Sequence, residues 1–276
     1  MHARIMAATF LSLVVVGLYA VGSWPVWRSL RGGTELSPAS RQALLGLTLV
    51  AAFLHGVLLY HTVWHPSGLN FSVTGAFSAI TFVVIVLYLG TTVVQPVATL
   101  GALLLPLASV LVFIAWLWPG KAINTPGSSL QALHILIAML AYSLLCLAAV
   151  QSVLLLILER NLRQHQGLTL VQALPPMQTM ERLMFQMIGI GFILLTATLV
   201  TGAFFSETLF GKPFRFTHHM VLAVLGWAIY AVLLTGRWRL GWRGRTAVRW
   251  TLAGFGMLVL AYFGSKFVLE VVLGRV

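Results

Sequence analysis

Apolar runs of about 20 residues recur along the chain, and polar residues gather in the breaks between them. Runs of that length cross a bilayer as helices. The pattern predicts eight spans, at roughly 4–24, 41–63, 71–91, 94–118, 130–158, 184–206, 217–236 and 248–270. The expected fold class is therefore all-α, a polytopic transmembrane helical bundle. Residues 1–276 read as a single integral membrane domain, because no break is long enough to fold alone. The first run is expected to be a retained helix, since no small-x-small cleavage site precedes a soluble domain. The two longest breaks are roughly 25–40 and 159–183. Within the second, Pro175 and Pro176 stop any continuation of the fifth span, and Gln178 or Thr179 begins the next helix.

The fifth span, LQALHILIAMLAYSLLCLAAVQSVLLLILER from Leu130 to Arg160, carries the most informative polar pattern. At about 3.6 residues per turn, Ala138, Ala141, Tyr142, Ala148 and Ser152 fall close to the face of His134. Small residues let that face press against neighbouring helices. A histidine at the head of such a stripe is expected to point into protein and not at lipid.

Composition strengthens the membrane reading and removes others. The chain is 59% hydrophobic and only 8% charged, against about 25% charge in soluble domains, and its mean hydropathy is +0.97. The net charge of +12 is assigned to the flanks of the spans, so no nucleic acid is expected as a partner; the bilayer is. Eleven arginines fall after spans one, five and seven, whereas six basic residues go with the termini. By the positive-inside rule both termini lie outside the cytoplasm. The single cysteine, Cys146, excludes a disulfide framework and cysteine-based zinc or haem-attachment motifs within one chain. All five acidic residues lie near span ends or in breaks, which disfavours an ion-coupled transporter with a midplane carboxylate. Neither a serine–histidine–acid arrangement nor an HExxH motif appears, so no catalytic residue is assigned and the protein is not expected to be an enzyme.

With this orientation six of the eight histidines share the outer half. His55 lies roughly 13 Å below Trp64 and His134 roughly 6–9 Å below the start of its span, at the helical rise. Two imidazoles at such depths are candidate axial ligands of one haem iron. Beside that stands a plainer reading, in which each histidine is a neutral group bonded to a hydroxyl or carbonyl of the next helix. His61, His65 and His219 read as interfacial. Gly189, Gly191, Thr196, Thr198, Thr201 and Gly202 make the sixth span permissive of close packing, and Met184 and Met187 read as apolar filler. Gly236 to Arg245, GRWRLGWRGR, reads as an anchor for anionic headgroups in which lysine would serve as well as arginine.

Several stretches carry a resemblance. HILIAMLAYSLLCLAAVQSVLLLI, LPPMQTMERLMFQMIGIGFILLTATLVTGAFF, GWAIYAVLLTGRWRLGWRGR and LAYFGSKF resemble the CcsA/HemX-type cytochrome c assembly proteins, in particular their YpjD-like inner-membrane branch. His55 and Asn70-Phe71-Ser72 match more loosely. The resemblance implies a bacterial inner-membrane protein that handles haem b at the outer side. Its haem-lyase members carry a tryptophan-rich external loop flanked by histidines. His134 matches the first of these. The loop here, SETLFGKPFRFTHH, has no tryptophan, and the second external histidine, expected after the last span, is missing. The expectation is therefore a haem-binding or haem-handling protein of cytochrome c biogenesis without lyase chemistry, with His55 and His134 as iron ligands and His218 as a third cofactor-binding candidate. Other membrane proteins are expected partners. The alternative is a structural or regulatory membrane subunit with no cofactor.

Overall fold

In the computed structural model, residues 2–65, 68–70, 72–94, 97–119, 124–125, 129–164, 173–204 and 218–264 are described. Among the described residues eight helices follow one another: α1 (His2–Gly32), α2 (Pro38–Val63), α3 (Val73–Val94), α4 (Gly101–Leu117), α5 (Ser129–Gln164), α6 (Met177–Phe204), α7 (His218–Leu240) and α8 (Gly244–Val259). A single 3₁₀ turn, Ala98–Leu100, leads into α4, and a π turn, Leu260–Gly264, follows α8. Three short extended pieces, β1 (Trp64–His65), β2 (Gly68–Asn70) and β3 (Asn124–Thr125), pair antiparallel in the order β1-β2-β3. Among the described residues seven helices, α1 to α7, are long and apolar enough to cross a membrane. The eighth expected span is described as far as Gly264, and its remainder lies outside the described residues.

Two boundaries differ from expectation for physical reasons. The first helix runs through Pro25 to Gly32, so Arg28 and Arg31 ride on a helix and not in a loop. Val26 and Leu30 beyond the proline are buried, and that apolar contact offsets the hydrogen bond proline removes. The sixth helix begins at Met177, directly after the two prolines.

The chain divides into two compact units: Met1–Thr125 with Ile157–Met177, and Pro126–Leu156 with Gln178–Val276. The division falls inside α5, which is one continuous helix.

In the first unit α1 packs on α2 and α4, and α3 on α2 and α4. Val15, Tyr19, Leu44, Ala51, Ile85, Tyr88, Leu100 and Leu105 are completely buried. Two of the polar groups inside are tied to backbone. Ser109 donates to the carbonyl of Val16 at 2.9 Å, and Tyr88 to that of Ala98 at 2.9 Å. Arg41, placed in a cytoplasmic break by the sequence, caps α3 by donating to the Thr92 carbonyl at 2.7 Å. A cation there also meets the negative end of the helix dipole.

In the second unit the small residues set the helix approaches. A Cβ on Gly191 would stand 2.9 Å from Leu145, so α6 lies close on α5 there. Gly226 and Gly254 bring α7 and α8 together: added Cβ atoms would meet Leu258 at 2.8 Å and Tyr230 at 2.8 Å. Gly241, at φ +66°, ends α7, a backbone conformation that favours glycine.

Candidate functional site

In the first unit, three helices converge on His55. The imidazole is completely buried. Tyr19 Oη of α1 lies 3.1 Å from Nδ1, and Ser78 Oγ of α3 lies 2.9 Å from Nε2. The rings of Tyr19 and Phe82 stand edge-on to the imidazole, with centroids 5.8 and 5.7 Å away. Both ring nitrogens thus have hydroxyl partners, which is what a polar group in an apolar interior requires. Tyr19 was missed in the sequence. The available signal is the rule that a tyrosine buried in an apolar helix needs a hydrogen-bond partner.

His134 belongs to the second unit. It sits one and a half turns into α5, half-buried, and its Nδ1 lies 2.7 Å from Thr201 Oγ1 of α6. The next residue, Gly202, brings bare backbone against the ring: a Cβ there would be 3.4 Å from Cε1. The glycine–threonine pattern of the sixth span, read as packing, thus turns out to hold a histidine. One turn deeper, Thr196 accepts from Trp227 Nε1 at 2.9 Å, and Phe192 stacks on Trp227 at 5.5 Å.

The other histidines separate from these two. His61 is exposed beside Tyr60. The side chains of His65 and His218 lie outside the described residues, although the backbone of His218 opens α7. His219, expected at the interface, is exposed and stands edge-on to Tyr262 at 6.2 Å; Tyr262 in turn stands 6.2 Å from Tyr142 of α5. Among the described residues no group of three or more histidine, cysteine or acidic side chains could hold a metal ion. Met184 and Met187 are buried in the α6 core.

At the other end of α6 the structure reveals a polar cluster that the charge pattern concealed. Glu181 pairs with Arg237 of α7 at 3.1 Å. The guanidinium also donates to the Trp242 carbonyl at 3.1 Å and covers the Phe185 ring at 4.6 Å. Trp242 stacks on Trp250 at 5.4 Å and packs over Gly236. Nearby, the buried Gln151 of α5 donates to the Met180 carbonyl at 3.1 Å. Arg237 thus bridges α6 and α7 from a half-buried position, whereas Arg239, Arg243, Arg245 and Arg249 are exposed. A carboxylate among Met180, Leu183 and Met184 could have signalled it, because such a charge is expensive unless paired.

Comparison with known proteins places the chain among relatives. Residues 42–273 match the family described as Cytochrome C assembly protein. "Inner membrane protein YpjD" of Escherichia coli is 36% identical over 180 residues, covering 62% of this chain and 66% of that protein. "Cytochrome c biogenesis protein CcsA" of Thermosynechococcus vestitus is 32% identical over 94 residues, 34% of this chain and 30% of that protein. "Protein HemX" of Brevibacillus brevis is 25% identical over 137 residues, half of each chain. The chain therefore spans less than two thirds of the length of these curated relatives.

Proposed function

Because this chain belongs to the cytochrome c assembly protein family, we propose that it is a haem-handling membrane protein of cytochrome c biogenesis, holding haem b through His134. The observation that carries the reading is the imidazole of His134, braced at Nδ1 by Thr201 and floored by the bare backbone of Gly202. Metal-bound histidines are commonly oriented in this way, through a hydrogen bond at the nitrogen that does not touch the metal. Haem iron needs only one or two protein ligands, which suits a chain whose described residues offer no larger cluster.

His134 fits such a group. His55 fits only after Ser78 Oγ turns away from Nε2; Tyr19 would then keep the ring oriented from Nδ1. His218 remains the third candidate. Bound haem b would supply the iron porphyrin itself, and the residues named here would hold and orient it. The stretch of sequence from Ser206 to His219 lacks tryptophan, which supports handling without lyase chemistry and no enzymatic role. The printed name of the Escherichia coli relative supports the bacterial inner membrane as its site. The arginine distribution supports an outward-facing haem end, and other membrane proteins of the same process are the expected partners.

A second reading has its own observation. The closed hydrogen bonding of His55 suits a structural or regulatory subunit with no cofactor. Visible spectra of the purified full chain, loaded with haem, separate the two. The expected result is a Soret band that His134→Ala abolishes or weakens. A native chain that gives no Soret band after loading sinks the haem reading and leaves the structural one.

A further inference from the structure

A threonine hydroxyl has one proton to donate and lone pairs to accept with. Thr201 Oγ1 lies 2.8 Å from the carbonyl oxygen of Ala197 and 3.1 Å from that of Thr198. Carbonyl oxygens only accept, so the hydroxyl proton is committed to the backbone of α6. The 2.7 Å contact with His134 Nδ1 then has one polarity: the imidazole donates and the threonine accepts. A neutral imidazole carries a single N–H. With that hydrogen held at Nδ1, the lone pair stands at Nε2.

We propose that Thr201 is a positioning residue that locks His134 in the Nδ1–H tautomer and so makes Nε2 the electron-pair donor. The use of that lone pair for iron rests on the haem reading; the lock itself does not. Gly202 belongs to the same device, because its bare backbone faces Cε1, the carbon between the two nitrogens. His55 differs in kind. A tyrosine and a serine hydroxyl face its two nitrogens, and either can donate or accept, so either tautomer is served.

The test reads the tautomer without haem. Nitrogen-15 spectra of the full chain labelled at histidine distinguish an N–H nitrogen from a bare one, and His134→Gln assigns the signals. The expected result is protonated Nδ1 and bare Nε2 in the native chain and in Thr201→Ser. In Thr201→Val, a mixture or the opposite tautomer is expected. A native chain with its proton on Nε2 overturns the proposal, as does a Thr201→Val chain with an unchanged tautomer. Haem titration of the same three chains is the second readout. Thr201→Val should bind haem about tenfold more weakly, the lower end of the effect of losing such a partner, with Thr201→Ser restoring the affinity. If native protein shows the Nδ1–H form yet binds no haem, the lock stands and the haem reading falls. Equal haem affinity in native and Thr201→Val protein overturns the positioning role.

Discussion

Arg237 shows how much a single residue can differ from its neighbours in sequence. It belongs to a run of arginines whose expected partner is the headgroup layer, and lysine would satisfy that partner. Instead its guanidinium reaches the Glu181 carboxylate, the Trp242 carbonyl and the Phe185 face at once. A planar fork can do this; an ammonium group cannot. Arg237→Lys should therefore lower stability by about 1 kcal/mol, in the range of partly exposed, well-made ion pairs, while Arg243→Lys should change nothing measurable. Thermal unfolding in detergent checks both. A double-mutant cycle with Glu181→Gln should give a coupling of at least about 0.5 kcal/mol. Additive single effects would mean that the pair contributes only by packing. The sequence concealed this bridge because its ends are far apart along the chain and each charge was explained by its position at a span end. His134 was the opposite case. Its face of small residues was visible at once, but its partner Thr201 looked like one more packing residue in a row of threonines and glycines.

At the scale of elements, the helix contacts of the second unit turn on where glycine meets a ring. Gly254→Ala would drive a Cβ to 2.8 Å from the completely buried Tyr230, whose hydroxyl is tied to the Thr251 carbonyl. A rigid, bonded ring has little room to yield, so a loss of about 1–3 kcal/mol is expected. Gly189 has open space at the same distance, and Gly189→Ala should be neutral or slightly stabilising, by helix propensity. Melting temperatures of the two variants, measured side by side, test the contrast; equal loss in both would mean that Tyr230 moves aside. The seven spans found among the described residues were legible because lipid forces every spanning segment into an apolar helix of similar length. Which glycines are crossings and which are open was not legible. Gly189 and Gly191 look alike in sequence, and only the position of Leu145 separates them. The passage of α1 through Pro25 was hidden for the same reason, since the burial of Val26 and Leu30 is a tertiary fact.

For the whole molecule, orientation is the property on which the haem reading depends. The arginines at 239, 243, 245 and 249 are exposed around the turn between α7 and α8, and the positive-inside rule predicts that this turn faces the cytoplasm. In a Cys146→Ser background, Arg243→Cys should resist a membrane-impermeant maleimide in intact cells and react in inverted membrane vesicles. The reverse pattern would put His55 and His134 in the inner half. This expectation rests on charge alone; helix geometry is indifferent to which side is which.

The unbroken length of α5 reaches beyond the protein to the solvent it lives in. Leu130 to Leu158 is one apolar helical stretch, about 43 Å long at the helical rise. A typical hydrocarbon layer is about 30 Å thick. A helix that outmatches its bilayer must tilt, bend or draw the lipid up around it. The surrounding membrane is therefore expected to be a partner in its own right, with long acyl chains fitting this protein better than short ones. Bilayer thickness becomes a variable that bears on how steeply the helix carrying His134 stands.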